Sequence, residues 1–357
     1  MFGDNQIWVQ TKLYRRRFRQ PLQTFHGPWQ WREGILLKLT LSSGRAGFGE
    51  VSPLPWFGTE SLEEAQHFLD DKAGGRAYKP LLDVPDRLPA TQFGIETALN
   101  QVTGHSEKSS QPRHPEEVCG LLPAGERALD RFPSLLMLGH RAYKWKIGVF
   151  SLAEEIAWFR ELVAMAGGRG QFRLDANGGL NYKMAQTWLE TCDALNSAQP
   201  SRVQEGTNSN PVALIRKPAT TVEYLEQPLP PTQQLDMRRL CSQFQTPIAL
   251  DESVSNMSQL TEDFLQSWPG YFVIKPAITG FPSKLLQKID KLGPRVIFSS
   301  VFETVVGHRA ALEIARAHYR QGIKSLHPYP ALGFNTLGYF DDDWDTLNPE
   351  QDRKSVV

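Results

Sequence analysis

Charged and polar residues recur at nearly even intervals through the chain: Lys144-Trp145-Lys146, Asp175-Ala176-Asn177, Glu226, Asp251-Glu252, Lys275 and Ser299-Ser300. From Lys146 to Asp175, Glu226, Asp251, Lys275 and Ser300 the steps are 29, 51, 25, 24 and 25 residues. Three carboxylates brought together at low dielectric repel one another unless a cation lies between them. Oxygen-only ligation, with no His or Cys, suits Mg2+. A lysine acts as a base only when its pKa is depressed, and Lys144, two residues before Lys146 on the same strand face, supplies a like charge that disfavours protonation. Such a set removes a proton next to a carboxylate while a metal stabilises the resulting enediolate.

Each of these groups ends a short apolar run. The runs at 118–124, 142–148, 171–176, 222–227, 248–252, 271–277 and 295–302 read as strands, and amphipathic stretches such as 153–166, 184–195 and 305–320 read as the helices between them. Strands that alternate with helices in one direction predict a parallel sheet. Without a Gly-x-Gly-x-x-Gly turn or P-loop, a closed barrel is favoured over an open sheet. The C-terminal ends of its strands would converge on one rim. A closed barrel calls for eight strands, so one is degenerate or hidden. The long 51-residue step contains 199–220, rich in Pro, Ser, Asn and Thr, which reads as a loop inserted in one βα unit. Before residue 100 the pattern is α+β: a strand at 35–41, a Gly/Pro-rich stretch, then helices at 62–70 and 91–102.

Composition excludes several classes. With 40% hydrophobic, 22% charged and 10% aromatic residues, the 357-residue chain is neither disordered nor coiled coil. Its 39 basic and 39 acidic side chains cancel, so no global field attracts nucleic acid. The opening MFGDNQIWVQ is unlike a signal peptide and no run reaches membrane-span length, which points to the cytoplasm and away from membranes. Cys119, Cys192 and Cys241 show no metal spacing and read as reduced, buried structural residues. Arg15-Arg16-Arg17-Phe18-Arg19 reads as a solvated strand or loop, and Asp341-Asp342-Asp343-Trp344-Asp345 as a solvated tail element. His308 and His327 lack ligand spacing and read as structural or surface residues.

Any one of the strand-end charges, taken alone, is more simply a cap, a rim charge or a structural ion pair. Their coincidence on successive strands is what argues for a site. Asn177-Gly178 also reads as a turn, and Glu252 as a helix N-terminal charge or a support behind the ligands. Pro53-Leu54-Pro55-Trp56-Phe57-Gly58 reads as a rigid loop that could also close over substrate.

At these positions the sequence resembles the enolase superfamily, within it the muconate-lactonizing-enzyme-like group. The motifs are Lys144-Trp145-Lys146, Leu174-Asp175-Ala176-Asn177, Leu225-Glu226-Gln227-Pro228, Leu250-Asp251-Glu252-Ser253 and Ile274-Lys275-Pro276. Gly47-Phe48-Gly49-Glu50-Val51-Ser52-Pro53-Leu54-Pro55, Ser61-Leu62-Glu63-Glu64-Ala65 and the run Ser299-Ser300 to Glu303 and Gly307 are most similar to the o-succinylbenzoate synthase family. The resemblance implies a modified (β/α)7β TIM barrel at 106–324. It also implies an α+β capping domain at 1–105, completed by 325–357. It implies Mg2+-dependent dehydration of a small dicarboxylate in menaquinone or phylloquinone synthesis. Lys146 would be base and acid, Lys275 the electrostatic partner, and Asp175, Glu226 and Asp251 the metal ligands. Lys144, Asn177, Ser299, Ser300, Trp56 and Phe25 become candidate substrate contacts, with Glu252 behind the metal ligands. Two rival readings stand beside it: an N-acylamino acid racemase or dipeptide epimerase of the same superfamily, and a non-catalytic binding protein that keeps the fold.

Overall fold

The computed structural model describes residues 6–24, 27–72, 74–76, 81–104, 117–198, 220–322 and 329–346. Phe25, His327 and the inserted stretch at 199–219 lie outside them. The chain divides into two compact units, one made of Met1–Arg113, Asp251–Trp268 and Phe272–Val357, the other of His114–Leu250 and Pro269–Tyr271.

The first unit opens with an antiparallel sheet of β1 (Ile7–Thr24), β2 (Gly27–Leu41), β3 (Ala46–Val51) and β4 (Gly74–Arg76), in the order β3-β2-β1-β4. The helices α1 (Leu62–Asp71) and α2 (Pro89–Thr103) follow in this part of the chain. In α1 the Ser61 side chain accepts from the Glu64 amide while Glu64 reaches back to the Ser61 amide, a capping box that anchors the helix start. Gly47 and Gly49 let β3 lie directly against the backbone of α2. A Cβ on Gly49 would fall inside the carbonyl oxygen of Gly94, and one on Gly47 inside that of Ala98.

The structure corrects the reading of the arginine run and of the acidic tail. Along β1, Tyr14, Arg16 and Phe18 point inward while Arg15 and Arg17 point out, so the period of a strand carries one arginine into the core. There the Arg16 guanidinium meets both Asp342 and Asp345 at 2.7 and 2.9 Å. Its face covers the Phe340 ring at 3.8 Å. Neither segment is simply solvated at these positions, because each neutralises the other.

The second unit carries β5 (Gly120–Leu122), β6 (Ala142–Lys146), β7 (Gln171–Asp175), β8 (Thr221–Glu226) and β9 (Ile248–Leu250), paired in parallel in chain order. Between them run α3 (Arg127–Leu138), α4 (Leu152–Ala166), α5 (Tyr182–Ser197) and α6 (Gln234–Gln243). Trp145, Phe159, Phe172 and Trp188 are fully buried and pack ring on ring, so strand faces and helix faces share one aromatic core.

The chain then returns to the first unit with α7 (Glu262–Ser267), β10 (Tyr271–Ile274), α8 (Pro276–Thr279), α9 (Pro282–Ile289), β11 (Val296–Phe298) and α10 (Val305–Gly322). Strands β10 and β11 pair in parallel with each other. All seven expected strands are present; six are shorter than the sequence pattern suggested, while β8 keeps the expected length of six residues, shifted by one position. Among the described residues no eighth full strand occurs. A single parallel bridge from Ser299 to Gly333 extends the β11 edge in its place.

Candidate active site

In the second unit, register places three of the expected residues on one rung. Lys146 pairs with Asp175 across β6 and β7, and Asp175 pairs with Glu226 across β7 and β8. Lys144 lies two residues back on the same strand, with its Nζ 2.8 Å from Asp175 Oδ2 and 2.7 Å from Glu226 Oε1. Two buried carboxylates therefore converge on one cation.

The chain leaves both carboxylates through left-handed residues that are not glycine, Asn177 at φ 44° and Gln227 at φ 35°. The amide of Asn177 donates to Asp175 Oδ1 at 3.1 Å, and that of Gly178 to the Gln227 carbonyl at 2.7 Å. Asn177-Gly178 is the expected turn, and its backbone fixes one oxygen of Asp175.

Sequence reasoning missed Glu155 on α4. Its carboxylate is buried and accepts the amides of Gly148, Val149 and Phe150 at 2.8, 2.9 and 3.0 Å. It thereby fixes the loop that leaves Lys146. The available signal was an acid in the first turn of a helix opened by Ser151, where backbone amides gather.

In the first unit, Lys275 Nζ donates to Asp251 Oδ1, both side chains being buried. The Phe57 ring centroid lies 4.4 Å from the same nitrogen. Phe57 ends a 3-10 turn (Pro55–Phe57) closed by Gly58 at φ 83°, and Ser255 Oγ donates to the Phe57 carbonyl at 2.8 Å. The expected aromatic was Trp56, which is partly exposed and packs edge-on to Trp29 at 5.3 Å. Adjacent aromatic residues in a Pro-rich loop gave no sign of which one would turn inward.

Glu252 opens a short 3-10 turn (Glu252–Val254) directly after Asp251, in the place of an N-terminal charge. Ser299 lies in the bridge to Gly333. Ser300 is buried: its hydroxyl accepts from the Phe302 amide and the Thr336 hydroxyl, both at 2.9 Å, and itself contacts the Glu303 carboxyl. Burial raises the Glu303 carboxyl above its ordinary range, with Ser300 and backbone groups opposing.

His308 is buried, with Nε2 2.9 Å from the Phe334 carbonyl, a structural position. The three cysteines carry no disulfide, and burial pushes the thiols of Cys119 and Cys241 up to about 11, which removes them as nucleophiles at neutral pH.

Among the described residues no three His, Cys, Asp or Glu side chains form a ready metal cage. Within each unit the expected ligands instead meet a lysine, Asp175 and Glu226 through Lys144 and Asp251 through Lys275. The donors are all carboxylate oxygens, and two of them already converge on a positive charge. That chemistry fits a hard divalent cation of the Mg2+ type.

Sequential parallel strands ending in a lysine pair, carboxylates and a further lysine, on a chain that also carries an antiparallel α+β unit, define an enolase-superfamily protein. The family model described as MenC, N-terminal domain, matches residues 13–102. The o-succinylbenzoate synthase of Thermosynechococcus vestitus is 32% identical over 327 residues, which cover 91% of each chain. The chain belongs to the o-succinylbenzoate synthase family. A crystal structure of o-succinylbenzoate synthase from Thermosynechococcus elongatus, complexed with Mg in its active site, matches with a TM-score of 0.78 at 31% identity, over 98% of this chain and 99% of that one. The L-Ala-D/L-Glu epimerase of Bacillus subtilis matches with a TM-score of 0.71 at 21% identity, over 95% of this chain and 92% of that one, and shares the fold.

Proposed function

We propose that this chain is a Mg2+-dependent carbon–oxygen lyase that dehydrates 2-succinyl-6-hydroxy-2,4-cyclohexadiene-1-carboxylate to o-succinylbenzoate, a step of menaquinone or phylloquinone synthesis. The observation that carries the reading is the rung Lys146, Asp175, Glu226 in a chain of this family. Lys146 takes the proton from the carbon next to the ring carboxylate. The same lysine, now an ammonium, returns that proton to the hydroxyl leaving the neighbouring carbon. Water departs, the ring becomes aromatic, and Lys146 is neutral again. One group acting first as base and then as acid implies syn elimination.

Lys275 supplies a fixed positive charge to the intermediate carboxylate. Asp175, Glu226 and Asp251 would hold Mg2+, which when bound supplies the charge that lowers the energy of the deprotonated acid. Lys144 offsets the buried carboxylates. Ser299, Ser300, Asn177, Trp56 and Phe25 are the candidate contacts to the rest of the substrate, with Glu252 supporting the ligands. The cap at 1–105 with 325–357, and the barrel at 106–324, are the corresponding functional division. The partner is a small dicarboxylate, with no nucleic acid or membrane required, in the cytoplasm. Among the described residues no helix is long and apolar enough to cross a membrane.

The test is to incubate the purified protein with the cyclohexadiene substrate, with and without Mg2+, and follow aromatisation by absorbance. Turnover that needs Mg2+ and disappears in Lys146→Ala, with the fold retained by circular dichroism, is expected. Full activity after chelation would remove the metal from the reading. Exchange of the α-proton of an N-succinylamino acid without aromatisation would reassign the protein as a racemase.

A further inference from the structure

Arg32 on β2 is 2% exposed and, among the described residues, pairs with no carboxylate. Its guanidinium spends four N–H bonds on backbone carbonyls instead. Nε donates to Val301 at 3.0 Å, one terminal nitrogen to Glu33 and Pro53 at 2.9 and 3.0 Å, and the other to Ser52. A buried charge without a counter-ion is costly, and its retention on an inward-facing strand position calls for a role beyond packing.

The residues it grips supply that role. Ser52 and Pro53 begin the loop that ends in Phe57, and Val301 directly follows Ser299-Ser300. Ser52, Pro53 and Leu54 are buried and anchor the start of the loop, whereas Pro55, Trp56 and Gly58 are exposed, so beyond Leu54 polar ties fix its course. Besides Arg32 these ties include Leu54 N to Thr59 Oγ1 at 2.7 Å, Ser255 Oγ to the Phe57 carbonyl, and the turn's own bonds from the Phe57 amide to the Leu54 carbonyl at 2.8 Å and from the Gly58 amide to the Pro55 carbonyl at 2.9 Å.

We propose that Arg32 is a positioning residue: by clamping Ser52 and Pro53 to Val301 it holds the Phe57 ring against Lys275. The inference rests on the reading of Lys275 given above. A lysine at position 32 offers a point charge without the planar fork and cannot hold three segments at once.

A double-mutant cycle separates positioning from simple stabilisation. Arg32→Lys is expected to lower kcat about tenfold with little change in KM, and to cost less than about twofold further in a Phe57→Leu background. Thr59→Val, which loosens the same loop from its partly exposed end, is expected to lower kcat in the same sense and to be equally non-additive with Phe57→Leu. It decides the matter should Arg32→Lys fail to fold. Full additivity in either cycle, or wild-type kcat in both single variants, overturns the inference. Lys275→Ala tests the underlying reading separately: full activity there removes the role of Lys275, whatever the coupling of Arg32 to Phe57.

Discussion

Arg16 and Asp342 are separated by 326 positions in sequence and joined by a forked ion pair, Nε at 3.0 Å and a terminal nitrogen at 2.7 Å. The arginine is buried and the aspartate about a third exposed. Asp342 and Asp345 raise the Arg16 pKa against the opposing effect of burial, so the guanidinium stays charged at every working pH. Removing one partner leaves a buried charge short of compensation. Asp342→Asn is therefore expected to cost about 2 kcal/mol in denaturant unfolding with an unchanged m-value, the remaining Asp345 limiting the loss. A variant as stable as the parent would show that the pair contributes nothing net.

Lys144 offers a second test that does not depend on turnover. Its Nζ serves both Asp175 and Glu226, so Lys144→Met leaves two buried carboxylates with less opposing charge. The metal-free variant is expected to unfold at a lower temperature than the parent. Mg2+ is expected to raise its midpoint by more than it raises the parent's, because binding then relieves more repulsion. Equal rises in the two proteins would separate Lys144 from the metal site.

The pH dependence of stability has an identifiable contributor in His308. Burial holds this ring below the ordinary histidine value, while the Phe334 carbonyl, Asp345 and Glu50 pull upward and Arg309 downward. The unfolded chain takes up the proton first as pH falls through about 6.5, so the native state loses stability there and regains it above. His308→Gln is expected to flatten the fall in thermal midpoint between about pH 7.5 and 5.5 relative to the parent. The raised carboxyls of Glu60, Glu96 and Glu303 act in the opposite sense and cancel in that comparison. Parallel curves would clear His308 of the effect.

Much of the second unit was legible because a parallel strand buried on both faces is a plain apolar run, and a polar residue at its end is conspicuous. Lys146, Asp175 and Glu226 stood out for that reason, and pairing register then set them on one rung. The first strand was harder to read. Arg16 occupies an inward position that an apolar residue would normally mark, and its counter-charge is nearly a chain length away. Phe57 and Glu155 were missed on different grounds. The inward turn of Phe57 depends on ties from Arg32 and Ser255, and the work of Glu155 is done for backbone amides, which leave no trace in a side-chain pattern.

The seam between β3 and α2 bears on how kinship and chemistry are written in such a chain. Gly47 and Gly49 are small because a helix backbone presses on them. Glu50, at the end of the same motif, accepts the Tyr14 hydroxyl at 2.6 Å and the amides of Thr304 and Gly307, both at 2.9 Å. None of these demands comes from a reactant. The Gly-Phe-Gly-Glu motif is thus accounted for by how β3 is seated, through close backbone approach at the glycines and through the Glu50 carboxylate. A new specificity on this scaffold would be sought by rewriting the loop from Pro53 to Gly58 and leaving the glycine seam intact.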